Sequence, residues 1–159
     1  KKAGLYDNIY YDIPFLLDGE FYTVFVPTHQ ALVDYRVDTL TVPELKDFLK
    51  FHFVKGDLIF TDGKKTEGNY PTMLQAENST TYYTKYTTLN IRPKPDAIEI
   101  LDKDGNVFTV INENGERTNQ FIMYDTNDDP VSTSYWDNIV TGVVHEVDRV
   151  LVKDLLEVK

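Results

Sequence analysis

The chain has 159 residues, 42% of them hydrophobic and 13% aromatic, which suits one domain with a sizeable core and argues against disorder. Its 26 acidic against 16 basic residues give a formal net charge of −10, which repels phosphate backbones and anionic lipid surfaces and so argues against a nucleic-acid partner. Cysteine is absent, which excludes a disulfide framework and a thiolate metal site.

In chain order, Leu5, Ile9, Ile13, Leu16 and Leu17 suggest a short helix, with a turn near Pro14 and Asp18-Gly19. Phe21 to Val26 is apolar or Thr on both faces, which predicts a central strand covered on both sides. Val26-Pro27-Thr28 then switches strand to helix within three residues. Pro27 keeps Val26 extended and presets its own φ, and Thr28 is a good N-cap.

A second helix starts at Thr41, where Glu44 completes a capping box and Pro43 is tolerated in the first turn. Leu45, Phe48, Leu49 and His52 recur at helical spacing, and Lys55-Gly56-Asp57 predicts the helix stop. Leu58 to Phe60 should then begin a strand. Thr80 to Ile91 is rich in Thr, Tyr and β-branched residues. Beyond it, Asp104-Gly105 and Asn114-Gly115 bound the strand-like runs Ala97 to Leu101 and Val107 to Ile111, which predicts a hairpin region. A final strand is expected over Gly142 to Val152, before a short charged tail. No run of about 18 apolar residues, no internal repeat and no low-complexity tract is present.

The candidates for neutral-pH chemistry are His29, His52 and His145. No GxSxG elbow or HExxH pair accompanies them, so His52 and His145 read as hydrogen-bonded core histidines, and His29 as part of a solvated helix start. Catalysis through His52 or His145 with a nearby acid is the remaining enzymatic reading. Asp102, Asp104 and Asn106 in DKDGN, with Glu113 at the twelfth position, have the outline of a calcium loop, but the strand-like VFTVI favours a turn. Tyr82, Tyr83 and Tyr86 read as sheet packing. Asn78-Ser79-Thr80 is an N-glycosylation sequon, and Asp38-Thr39-Leu40 matches a short bacterial O-glycosylation pattern.

Three segments together resemble the fasciclin domain family. YTVFVPTHQAL (Tyr22 to Leu32) is similar to the family's TVFAPTNEAF, LKFHFVKGDL (Leu49 to Leu58) to LLYHVVPGRL, and GVVHEVDRVLV (Gly142 to Val152) to NGVIHVIDRVL. Eight of the eleven residues in the last segment fit. The resemblance implies an α+β fold, an antiparallel β-wedge or sandwich of about seven strands with several packed helices, as a single domain over residues 1–159. It also implies one or two further helical turns upstream of Lys1, so that the chain reads as trimmed at its N-terminus, with any signal or anchor outside it.

For function, the resemblance implies a non-enzymatic extracellular adhesion or interaction module of a cell-surface protein, without catalytic residues, cofactor or metal. The expected partner is a protein or polysaccharide at the cell surface, with no nucleic acid and no membrane insertion by this chain, at the cell surface or outer membrane. The alternative is a carbohydrate-associated component of a bacterial outer-membrane glycan uptake or surface assembly. The family's adhesive Tyr-His pair corresponds to Phe51-His52 here, without the phenolic hydroxyl, and its acidic pair after the first capping threonine is replaced by His29-Gln30. The chain departs most at Phe121 to Asp137, FIMYDTNDDPVSTSYWD. There Tyr124, Asn127, Asp128, Asp129, Tyr135 and Trp136 combine aromatic faces with short polar side chains, which suits a sugar ring or a protein partner.

Overall fold

Phe21–Pro27 forms strand β1 in the computed structural model, which describes residues 1–6, 13–17, 19–102, 104–110, 118–125 and 139–152, with main chain alone at 123–125 and 139. Helix α1 (His29–Asp34) follows, capped by Thr28, whose hydroxyl accepts from the Ala31 amide at 3.2 Å. A 3-10 turn at Val37–Thr39 leads into α2 (Val42–Phe51). There the expected capping box is formed: the Glu44 carboxylate accepts from the Thr41 amide at 2.8 Å and the Thr41 side chain accepts in return from the Glu44 amide. Donation to the carboxylate from the Thr41 hydroxyl, at 2.6 Å, and from the Thr41 amide holds the Glu44 carboxyl below its usual range.

The remaining strands are β2 (Phe53–Lys55), β3 (Gly68–Gln75), β4 (Tyr86–Lys94), β5 (Ala97–Leu101), β6 (Val107–Thr109), β7 (Gln120–Asp125) and β8 (Ile139–Val147). They form one sheet in the order β6-β5-β4-β3-β2-β1-β8-β7. The fold is therefore sheet-rich α+β, with eight strands and two α-helices among the described residues rather than seven strands and several helices. The sheet is mixed: β1 runs parallel to β8, from Phe21 opposite Thr141 to Pro27 opposite Val147, while the other pairs are antiparallel. As expected, β1 is central.

The sheet folds over on β3. Gly68 to Pro71 of this strand pair with β4, Thr72 pairs with Val54 of β2, and the register with β4 shifts between Pro71 and Gln75. Pro71 lacks an amide to donate, which suits an irregularity at the point where the strand changes partners. Residues from both halves then meet in one core: Phe25, Val54 and Val147 from one, Ile91, Ile98 and Ile100 from the other. Burying each isoleucine is worth about 2 kcal/mol. An isolated bridge between Val110 and Val147 ties the end of the β6 segment back to β8. A second cluster on the opposite face of β1 packs Tyr22, Met73 and Val140 under Leu16, with Ile13, Phe15 and Phe53 around it.

Several sequence expectations are corrected. In the N-terminal segment residues 1–6 and 13–17 make turns, with the Gly4 amide bonded to the Lys1 carbonyl and the Leu16 amide to that of Ile13, and Ile9 of the expected helix lies outside the described residues. Helix α2 stops at Phe51, not at Gly56, because Phe53–Lys55 is claimed by β1, where Val24 pairs with Phe53. Gly56, at φ +87, turns the chain after β2 instead. Leu58 to Phe60 is not a strand, and Ile59, although fully buried, has its main chain satisfied by side chains. The Thr23 hydroxyl accepts from the Ile59 amide at 2.9 Å, and His145 Nε2 donates to its carbonyl at 2.6 Å. The final strand starts at Ile139 and ends at Val147. Tyr86 opens β4, but Tyr82 and Tyr83 lie in the loop before it. β6 ends at Thr109, and Ile111, Glu113 and Asn114-Gly115 lie outside the described residues.

Candidate functional site

The two histidines expected in the core are there, and their hydrogen bonds define what they can do. His52 caps the C-terminus of α2 with its side chain 3% exposed. Its Nδ1 donates to the Phe48 carbonyl at 2.7 Å and its Nε2 accepts from the Leu151 amide at 3.1 Å. The ring thus ties α2 to the chain that follows β8. Burial pushes the imidazole down from 6.5 to about 4, against the opposing pull of the Phe48 carbonyl.

His145, on β8, is fully buried and uses the other tautomer. Its Nε2 donates to the Ile59 carbonyl and its Nδ1 accepts from the Asn119 amide at 3.2 Å. Burial pushes this imidazole down as well, and the Ile59 carbonyl opposes the shift. Asn119 carries the network on: its side-chain oxygen accepts from the Thr61 amide at 3.0 Å and its side-chain amide donates to the Thr61 hydroxyl at 2.6 Å. Both imidazoles are neutral with each ring nitrogen occupied by main chain. Neither has a lone pair left for a substrate proton or a metal ion.

Phe51, beside His52, is 6% exposed and packs in the main core. The Phe51-His52 pair therefore faces inward and presents no surface to a partner. Of the six residues singled out between Phe121 and Asp137, Tyr124 lies in β7 at the register position opposite Val140. Asn127, Asp128, Asp129, Tyr135 and Trp136 lie outside the described residues. His29 opens α1 at the surface. DKDGN makes the expected turn: Asp102 accepts from the amides of Asp104 at 2.9 Å and Asn106 at 2.8 Å, so its carboxylate is committed to its own loop. Among the described residues no cluster of His, Cys, Asp or Glu is arranged to hold a metal ion, and no helix is long and apolar enough to cross a membrane.

Two surface features were not legible in the sequence. A cleft of about 700 Å³ opens between β4, the turn after β5 and the chain beyond β8, with Asn69, Asn90, Thr88, Asp104, Phe108 and Arg149 on its walls. The Arg149 guanidinium lies 5.2 Å above the Phe108 ring, and Asn90 Oδ1 is buried without a hydrogen-bond partner among the described residues. No histidine lines this cleft, so it lacks a neutral-pH base. The other feature is the loop between β3 and β4, which raises Tyr82 and Tyr83 into solvent at 100% and 67% exposure. Their spacing in the sequence resembled a packed strand. Only the turn that intervenes reverses that.

No curated protein matches the chain in sequence. The sheet-rich fold, the strand-to-helix switch at Pro27 and the two neutral core histidines agree with the family match that spans nearly the whole chain: the model for "Fasciclin domain" fits residues 2–153, and the chain belongs to the fasciclin domain family.

Proposed function

We propose that this chain is a non-enzymatic, extracytoplasmic interaction module of a cell-surface protein, recognising a protein or polysaccharide at that surface. Fasciclin domains are associated with cell adhesion and extracellular interaction. The observation that carries the proposal is the commitment of His52 and His145 to main-chain partners inside the core, which removes the two groups best suited to acid-base catalysis. What remains on offer is surface. The segment from Phe121 to Asp137 is the proposed contact region, with Tyr124, Asn127, Asp128, Asp129, Tyr135 and Trp136 as its contacts.

A solid-phase screen of the purified chain against fibrillar collagen, fibronectin and a polysaccharide panel tests this reading. Binding to at least one of them, weakened about tenfold or more by Trp136→Ala or Tyr135→Ala, is expected. Binding that both variants leave unchanged removes the segment from consideration, and no binding to any of them defeats the reading itself. The carbohydrate-associated reading, as a component of a glycan uptake or surface assembly at the outer membrane, is favoured by one further observation, the fully exposed phenol at Tyr82.

A further inference from the structure

The β3–β4 loop is built to hold its tyrosines outward. The Ala76 amide donates to the Lys85 carbonyl at 2.9 Å, Ser79 to Ala76 at 2.9 Å, and the Lys85 amide to the Ser79 hydroxyl at 3.1 Å. Beyond these, Thr80 and Tyr83 exchange main-chain hydrogen bonds of 3.0 and 3.2 Å around Thr81-Tyr82. The Thr80 hydroxyl also accepts from the Tyr83 amide at 3.1 Å. The tip is thus knitted by its own hydrogen bonds and needs neither ring for support. Tyr82, wholly exposed, gives the core no buried area, and Tyr83 is covered only by a third, so folding does not explain the position of Tyr82 and explains little of that of Tyr83.

The charge pattern points the same way. From Asn78 to Pro95 there is no Asp or Glu, in a chain where 26 of 159 residues are acidic. The cation at the tip, Lys85, lies 5.9 Å from the centroid of the Tyr83 ring. The surface on offer is therefore two phenol faces among the exposed hydroxyls of Thr81 and Thr84. The loop's one carboxylate, Glu77, lies at its β3 end rather than between Thr80 and Lys85, and the net charge of −10 opposes a polyanion.

We propose that the β3–β4 hairpin tip binds an uncharged polysaccharide, with Tyr82 and Tyr83 stacking on pyranose faces and the flanking threonine hydroxyls bonding to ring hydroxyls. Pyranose C–H groups carry partial positive charge and suit the negative face of an aromatic ring. An extended sugar chain can lie across a convex tip that has no wall beside it. The proposal rests on the extracytoplasmic interaction reading above and assigns it to residues other than those of the Phe121 to Asp137 segment.

Native affinity electrophoresis of the chain through gels holding dextran, xyloglucan, glucomannan or polygalacturonate tests it. Retardation by at least one of the three neutral polymers is expected, weakened about tenfold or more by Tyr82→Ala and by Tyr83→Ala, retained in Tyr82→Phe, and changed less than about twofold by Lys85→Gln. Circular dichroism should show unfolding curves unchanged by the Tyr82 variants, since that ring is fully exposed. Neutral-polymer binding that both alanine variants leave intact overturns the tip as the site while leaving a polysaccharide partner standing. Retardation by polygalacturonate alone overturns the uncharged ligand. No retardation by any polymer overturns the proposal, and binding to collagen or fibronectin in the solid-phase screen would then still uphold the broader interaction reading.

Discussion

Acidification should destabilise this protein through His52 before its carboxylates matter. In the folded chain Nε2 accepts from the Leu151 amide, so a proton added there would set one N–H against another inside the core. The imidazole stays neutral down to about pH 4, whereas in the unfolded chain it titrates at 6.5. Above pH 6.5 both states are neutral and stability is complete. Between 6.5 and about 4 the unfolded chain alone takes up the proton, so stability falls as pH falls, and below 4 the loss is complete. At about 1.4 kcal/mol per pH unit the gap amounts to about 3.5 kcal/mol, of which ~2.6 kcal/mol has gone by pH 4.5.

His145 is shifted in the same direction and adds to the loss. Glu44, Glu67 and Glu99 are held below 4.5, so their contributions fade only at lower pH and leave this window to the histidines. Urea unfolding followed by far-ultraviolet circular dichroism from pH 7.5 to 4.5 measures the slope. The His52→Gln variant should be less stable at pH 7 and flatter with pH. A stability that changes by less than about 0.5 kcal/mol over the window, or a ring resonance of His52 titrating near 6.5 in the folded chain, would refute the reasoning.

Two substitutions probe the irregular segment beside β2. Gly63→Ala places a Cβ 2.8 Å from the Pro95 ring at φ +68, whereas Gly56→Ala, at φ +87, meets open space. Urea unfolding should show about 1 kcal/mol lost at Gly56 and clearly more at Gly63, and equal losses would show that the Pro95 contact is not limiting. Asn119→Ala strips the Thr61 amide and hydroxyl of their partners and leaves a Cβ-bearing residue at φ 54 without its side-chain compensation. A loss of about 2 kcal/mol or more is expected in the same assay, and a loss below about 0.5 kcal/mol would mean that water replaces the Asn119 side chain.

The elements legible in the sequence are those whose cause is local. Thr28 and Thr41 cap their helices because a threonine hydroxyl reaches the free amides of a first turn, and Pro27 ends its strand through its own ring. Asp102 to Asn106 forms its turn for the same short-range reason. β3 was not legible, since Gly68, Asn69 and Pro71 are poor strand formers individually, and pairing with β2 and β4 overrides that preference. Phe53–Lys55 was lost to the preceding helix because nothing in its own residues announces that β1 will claim its main chain. At the candidate site, the aromatic composition of the β3–β4 loop was visible, but its exposure was not.

By itself, then, the sequence determined the family through three separated segments, the central position of β1, and the histidines as core groups lacking catalytic companions. The tertiary structure alone decided that β1 and β8 run parallel, that Ile59 is buried without a strand, and that Phe51 points inward while Tyr82 points out. The difference is one of range. Caps, turns and periodicity are settled by interactions within about four residues, whereas burial and strand pairing depend on partners such as Ile59 and His145, 86 residues apart.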